Sequence, residues 1–282
     1  MTIVAGSAPS PILDEPIHYT AYLPPGYSAK SRRYPTVYLL HGRGDTSAAW
    51  ATMAPDLDEL ITSGVLPPLV ALMPDAPWSN RASWYVDSLY TGGSSDGRDS
   101  GRAVDSALTR DLVRHVDATF RTIEDRAARL VGGYSMGGSG ALRFALAHQQ
   151  TFCAALVLSP AIYVPAPPSD SSIRASGAFG MGTRLFSRAR YDALNYPAAL
   201  AALDVDLATD LFISAGDNEH RHPGPEARHD VSAEIAALHA AASRTPAVTS
   251  QLVVVPGGHD WGVWRPAARQ GLIYLMRRDR IG

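Results

Sequence analysis

The stretch Arg129-Leu130-Val131-Gly132-Gly133-Tyr134-Ser135-Met136-Gly137-Gly138-Ser139-Gly140-Ala141 decides the fold. Residues 129–133 are a short apolar run of strand type, the glycine-rich segment after it is a turn, and residues 137–148 then read as a helix. A strand that turns sharply into a helix lifts the residue at the turn above the edge of the sheet. Positions two before and two after that residue must be small, because a side chain there would meet the turn or the neighbouring strand; Gly133 and Gly137 meet this need. Gly138 and Gly140 let the helix pack close, and its N-terminus turns the positive end of its dipole toward the same point. In a chain with 24 glycines a bare Gly-x-Ser-x-Gly could be an incidental turn, and it is the strand and helix around it that give it weight.

Outward from this stretch, apolar runs alternate with amphipathic ones, the pattern of a mostly parallel sheet covered by helices. Strands are predicted over residues 17–23, ending at Pro24-Pro25-Gly26, and over 35–41, 68–74, 152–159, 210–215 and 251–255. Helical spacing runs over 50–63 through Met53, Leu57, Leu60 and Ile61, with Gly64 closing it. It recurs through Leu108, Leu112, Val113, Val116 and Phe120, and over 226–242 and 263–277. Residues 160–196, rich in Pro, Ser and Gly, break the rhythm and read as a short cap inserted over the sheet. Residues 92–101 read as a loop, and no internal repeat is visible. The 282 residues are enough for one substantial core, so the chain reads as a single α/β domain, 1–282, carrying that cap.

Composition removes several function classes. The net charge of −2 and the lack of a basic patch or tail give no footing for nucleic acid. Lys30 is the only lysine, which leaves P-loop and Schiff-base chemistry almost nothing to use. Cys153, the only cysteine, excludes an internal disulfide and reads as a small buried strand residue rather than a reactive thiol. The first eleven residues lack the basic start and apolar run of an export signal, and no run approaches the ~20 residues a membrane span needs. The expectation is a soluble protein, cytoplasmic as given, or exported if an upstream signal is removed; oligomeric state is left open.

A serine nucleophile needs a base. His259, in Val255-Pro256-Gly257-Gly258-His259-Asp260-Trp261, follows the last expected strand and comes last in the chain order serine, acid, histidine. The acid is expected after the strand before, in Gly216-Asp217-Asn218-Glu219. Glu219, three residues past the turn glycine, is favoured, with Asp217 as the alternative. Its task is to hold the imidazole tautomer and stabilise the imidazolium. Two backbone N–H groups should face the developing oxyanion: that of Met136, next to the serine, and that of Arg43 in His41-Gly42-Arg43-Gly44. Trp84, Tyr85, Tyr134 and Trp261 are candidates to line the substrate pocket, with core packing the competing reading for Trp84, Tyr85, Trp261 and Trp264. His220, His222 and His229, beside Asp230, are interrupted by Pro223 and Pro225 and read as solvated loop histidines, so neither metal nor cofactor is expected.

These residues together resemble an esterase family of α/β-hydrolases that includes S-formylglutathione hydrolases (esterase D), feruloyl and acetyl-xylan esterases, enterochelin-type esterases and mycolyltransferases. The similar pieces are Tyr22-Leu23-Pro24-Pro25-Gly26-Tyr27, Tyr38-Leu39-Leu40-His41-Gly42 followed by Trp50, Ser83-Trp84-Tyr85-Val86-Asp87-Ser88, Gly132 through Ala141, and Pro256 through Trp261 with Trp264. The resemblance implies an α/β-hydrolase fold and a serine, acid, histidine triad acting on small-molecule or glycan-linked esters. It places the nucleophile and base on Ser135 and His259. Its Gly-x-x-acid pattern selects Glu219, where members more often carry Asp. The Ser-Trp-Tyr segment looks like its counterpart beside the active site of the mycolyltransferases. Hydrolysis through an acyl-enzyme is the leading expectation, with acyl transfer by the same triad and a non-catalytic binding protein as alternatives.

Overall fold

The computed structural model describes residues 1–27, 32–92, 100–219 and 230–276. Eight strands form one sheet: β1 Thr2–Ala8, β2 Ile17–Leu23, β3 Thr36–Leu40, β4 Val70–Pro74, β5 Arg129–Tyr134, β6 Ala154–Leu158, β7 Thr209–Gly216 and β8 Val248–Val255. Their order is β1-β2-β4-β3-β5-β6-β7-β8. Strands β3 to β8 run parallel to one another, and β2 runs against both β1 and β4. The expected mostly parallel sheet flanked by helices is therefore present.

The central strands are buried on both faces, which is why they read as unbroken apolar runs. Their side chains still alternate. In β3, Val37 and Leu39 enter the core beneath one helical layer, and Tyr38 and Leu40 the core beneath the other. The first layer holds the helices α1 Ser47–Ala51, α2 Ala54–Thr62 and, last in the chain, α8 Trp261–Leu275. The second holds α3 (residues 104–119), α4 Met136–Ala147, α7 Val231–Ala242 and the region after β6. α3 starts at Val104–Ser106, widens to π geometry over Ala107–Leu112 and returns to α over Val113–Thr119. Within the region after β6, helices α5 Arg188–Leu194 and α6 Tyr196–Ala201 lie against α4, and Met181–Gly182 pairs with Leu89–Tyr90. No helix among the described residues is long and apolar enough to cross a membrane.

Some expectations need correction. The helix expected over 50–63 is two helices, because Pro55 starts α2 afresh: proline fits the first turn of a helix but not its interior. β1 was not anticipated; it is an edge strand whose first four residues are exposed, so it carries no hydrophobic alternation. β8, at the other edge, begins at Val248 rather than Gln251. Cys153 stands just before β6, half-buried, and burial pushes its thiol up to about 11. Most of the expected 92–101 loop, residues 226–229 of an expected helix, and His220, His222 and His229 lie outside the described residues.

The glycines around Ser135 are fixed by backbone contacts. A Cβ on Gly133 would strike the Gly137 carbonyl, one on Gly137 the Leu40 and His41 carbonyls, and one on Gly138 the Leu158 carbonyl. None of these atoms can swing away as a side-chain tip could. Gly137→Ala is therefore expected to cost about 3 kcal/mol or more, read as a fall in the urea midpoint; an unchanged midpoint would contradict this packing.

Candidate active site

Strands β3, β5, β6, β7 and β8 deliver their following loops to one edge of the sheet, where open α/β sheets bind ligands. Ser135 sits between β5 and α4 with φ 55° and ψ −120°. This strained backbone aims the hydroxyl away from the strand. Ser135 Oγ lies 2.9 Å from His259 Nε2, and His259 Nδ1 lies 3.0 Å from Glu219 Oε2. The three side chains thus form one chain of contacts. The His259 side chain is 43% exposed, whereas that of Glu219 is 1% exposed.

Glu219 is held from two further directions. Its Oε1 accepts from the Gly216 N–H at 2.7 Å and from the Ser159 hydroxyl. Asp217 sits elsewhere: its Oδ1 accepts from the Gly257 N–H at 2.9 Å and so stitches the β7 loop to the loop carrying His259. Two backbone bonds, Asp217 N to Val255 O and Asn218 N to Gly257 O, complete the seam. Asp260 caps α8 by accepting from the Gly262 N–H, which ends the His259 loop.

The loop after β3 is equally constrained. A Cβ on Gly42 would lie 3.6 Å from the Ser135 Cβ and would run into the Tyr134 ring, so only glycine brings this loop so near the serine. The Tyr134 hydroxyl donates to Asp45 at 2.6 Å, and the Gly44 N–H to the Arg81 carbonyl. Among the described residues, neither the Arg43 N–H nor the Met136 N–H has an acceptor.

The aromatic candidates separate by position. Trp84 is buried and lines a cavity of about 20 Å³ between α4 and the region after β6, room for about one water; among the described residues its indole N–H has no acceptor. Tyr85 is fully buried beneath the site, its hydroxyl donating to the His41 carbonyl. Tyr134 is buried and stacks on Trp264 at 4.3 Å, and Trp261 is half-buried with its edge on Trp50 and Tyr134. Sequence reading passed over Ser159, a serine in no motif, and gave His41 no role of its own. No group of three or more metal-ligating side chains occurs among the described residues.

A family model described as "Putative esterase" matches residues 10–275. Among curated proteins, the chain is 28% identical over 156 residues to an endo-1,4-beta-xylanase/feruloyl esterase of Xylanibacter ruminicola, covering 53% of this chain and 20% of that protein. It is 32% identical over 135 residues to the esterase Rv1288 of Mycobacterium tuberculosis, covering 47% of this chain and 26% of that protein. The chain therefore spans only a fifth to a quarter of these relatives' length. Among solved structures, a ferulic acid esterase superposes with a TM-score of 0.77 at 24% identity over 98% of both chains. An S-formylglutathione hydrolase from Agrobacterium tumefaciens does so with a TM-score of 0.70 at 18% identity, over 99% of this chain and 95% of the other. These likenesses show the α/β-hydrolase fold.

His41 anchors the loop after β3 in one protonation state. It is buried; its Nε2 accepts from the Ala76 N–H at 2.9 Å, so Nδ1 carries the proton and donates to the Gly42 carbonyl at 2.7 Å. Burial lowers its pKa below the usual 6.5, against weaker raising effects of that hydrogen bond, Asp75 and Asp45, while Arg81 lowers it slightly further. The unfolded chain therefore takes up a proton here before the folded one does. The stability His41 contributes is complete above pH 6.5 and is lost as pH falls through its lower native value. Urea titrations should show wild type weakening below about pH 6.5 more steeply than His41→Gln; equal slopes would contradict the neutral, buried imidazole.

Proposed function

The chain belongs to the Putative esterase family, and from that premise we propose that it is a serine carboxylic-ester hydrolase. The observation that carries the reading is the unbroken run from Ser135 Oγ through the His259 ring to Glu219. In this reading His259 Nε2 takes the proton as Ser135 Oγ attacks the ester carbonyl. Glu219 keeps the Nδ1 proton in place and stabilises the imidazolium, so that Nε2 faces the serine. The tetrahedral oxyanion is held by the N–H groups of Met136 and Arg43, and their lack of other acceptors among the described residues supports the assignment. His259 then returns its proton to the leaving alcohol, and an acyl-enzyme remains on Ser135. Water, deprotonated by the same imidazole, releases the acid and restores the serine. The exposure of His259 gives water a route to this step. Feruloyl esters are the first substrates to try, because similar proteins are named for them.

Ser135→Ala is expected to remain folded by circular dichroism and to lose ~10⁴-fold or more in turnover of p-nitrophenyl acetate and methyl ferulate. Retained activity in the folded variant would sink the reading.

The acid is tested separately. Glu219→Gln should lower kcat by roughly 10³- to 10⁴-fold. Asp217→Asn keeps an oxygen for the Gly257 N–H and should stay within about threefold of wild type, the effect of losing the charge on one exposed hydrogen bond. The reverse order of effects would move the acid to Asp217.

A further inference from the structure

Ser159 ends β6 at the edge of the sheet where the loops converge. It is fully buried, and its φ of 41° is left-handed for a residue with a side chain. Its hydroxyl has two neighbours: the Trp264 indole N–H, with Nε1 3.0 Å away, and Glu219 Oε1. The direction of both hydrogen bonds follows from chemistry alone. An indole N–H can only donate, so Ser159 Oγ must accept from it. A carboxylate can only accept, so the single Ser159 proton goes to Glu219. With the Gly216 N–H on the same oxygen, Oε1 holds two donors, and Oε2 is left for His259.

Trp264 also touches the rest of the assembly. Its ring meets the His259 imidazole edge-on at 5.1 Å and stacks on Tyr134, the residue before the nucleophile. One indole thus packs against the base and the nucleophile's neighbour, and reaches the acid through a serine.

We propose that Ser159 and Trp264 are positioning residues for the ester reaction, the indole N–H orienting the Ser159 hydroxyl and that hydroxyl clamping Glu219 Oε1 so that Oε2 meets His259 Nδ1. The inference rests on the serine-hydrolase reading and extends it to two buried residues behind the acid and the base. The arrangement also satisfies a buried carboxylate at position 219. A buried carboxylate needs donors on both oxygens, and this one finds Gly216 and Ser159 on one side and His259 on the other.

The test uses Ser159→Ala, Trp264→Phe and the double variant, each checked for fold by circular dichroism and thermal midpoint. Turnover of p-nitrophenyl acetate gives kcat and KM, and inactivation by a fluorophosphonate reports nucleophile activation without turnover. Ser159→Ala should lower kcat and the inactivation rate roughly 10- to 100-fold, the worth of a hydrogen bond to a charged group, with KM within about twofold. Trp264→Phe keeps a ring and loses the N–H, and should cost roughly 2- to 10-fold. In the Ser159→Ala background the same tryptophan change should cost less, since its acceptor is gone. Wild-type kcat in Ser159→Ala, or a tryptophan effect of equal size in both backgrounds, overturns the proposal. If Ser135→Ala is inactive while Ser159→Ala is not impaired, the positioning role alone fails. Activity retained in Ser135→Ala removes the hydrolase reading and this inference with it.

Discussion

The left-handed backbone at Ser135 is the constraint around which the rest of the carboxyl edge is fitted. Such a conformation in a residue with a Cβ costs on the order of 1–3 kcal/mol. It persists here because β5 is paired on both sides, α4 is buried along its length, and three glycines let the backbones of β3, α4 and β6 approach without side chains between them. Relaxing the turn would part α4 from β3 and β6 together. The energy that keeps the serine strained is therefore the packing energy of the central sheet, and the hydroxyl's position is as rigid as that sheet.

The other loops are indexed to the same point by separate means. Gly42 approaches because Tyr134 and Ser135 leave space only for a hydrogen, and His41 then ties that loop back to Ala76. The loops after β7 and β8 are sewn to each other through Asp217, Asn218 and Gly257 before either reaches the serine. The start of α8 is braced by Trp261 and Trp264 against Trp50 and Tyr134. Each such aromatic pair adds about 0.5–1.5 kcal/mol beyond simple burial, and here the gain is spent on holding His259 in register with β5.

How much of this the sequence made legible depends on where each signal lives. Strands β3, β5 and β6 are buried on both faces, so their apolar runs are plain. Ser135 and His259 stand out because their strand-and-turn settings are written in adjacent residues. β1 was missed because an edge strand with exposed residues carries no alternation. The break between α1 and α2 was missed because Trp50, Met53 and Leu57 keep helical spacing across it, and only Pro55 marks the restart. The contact between Glu219 and His259 was accessible through the spacing from Gly216, but the separate duty of Asp217 depends on a bond to Gly257, 40 residues away. Ser159 was beyond reach: nothing in Leu158-Ser159-Pro160 marks it, and its partner Trp264 lies 105 residues on.

The thiol before β6 has a consequence for how the molecule meets its surroundings. Burial pushes the Cys153 thiol up to about 11, so near neutral pH it stays in the unreactive thiol form. Oxidation and mixed-disulfide formation both need the thiolate as the attacking nucleophile, and the chain has no second cysteine with which to close a bridge. Nothing in the assembly of Ser135, His259 and Glu219 depends on sulfur chemistry, so its geometry should be the same in reducing and in oxidising surroundings.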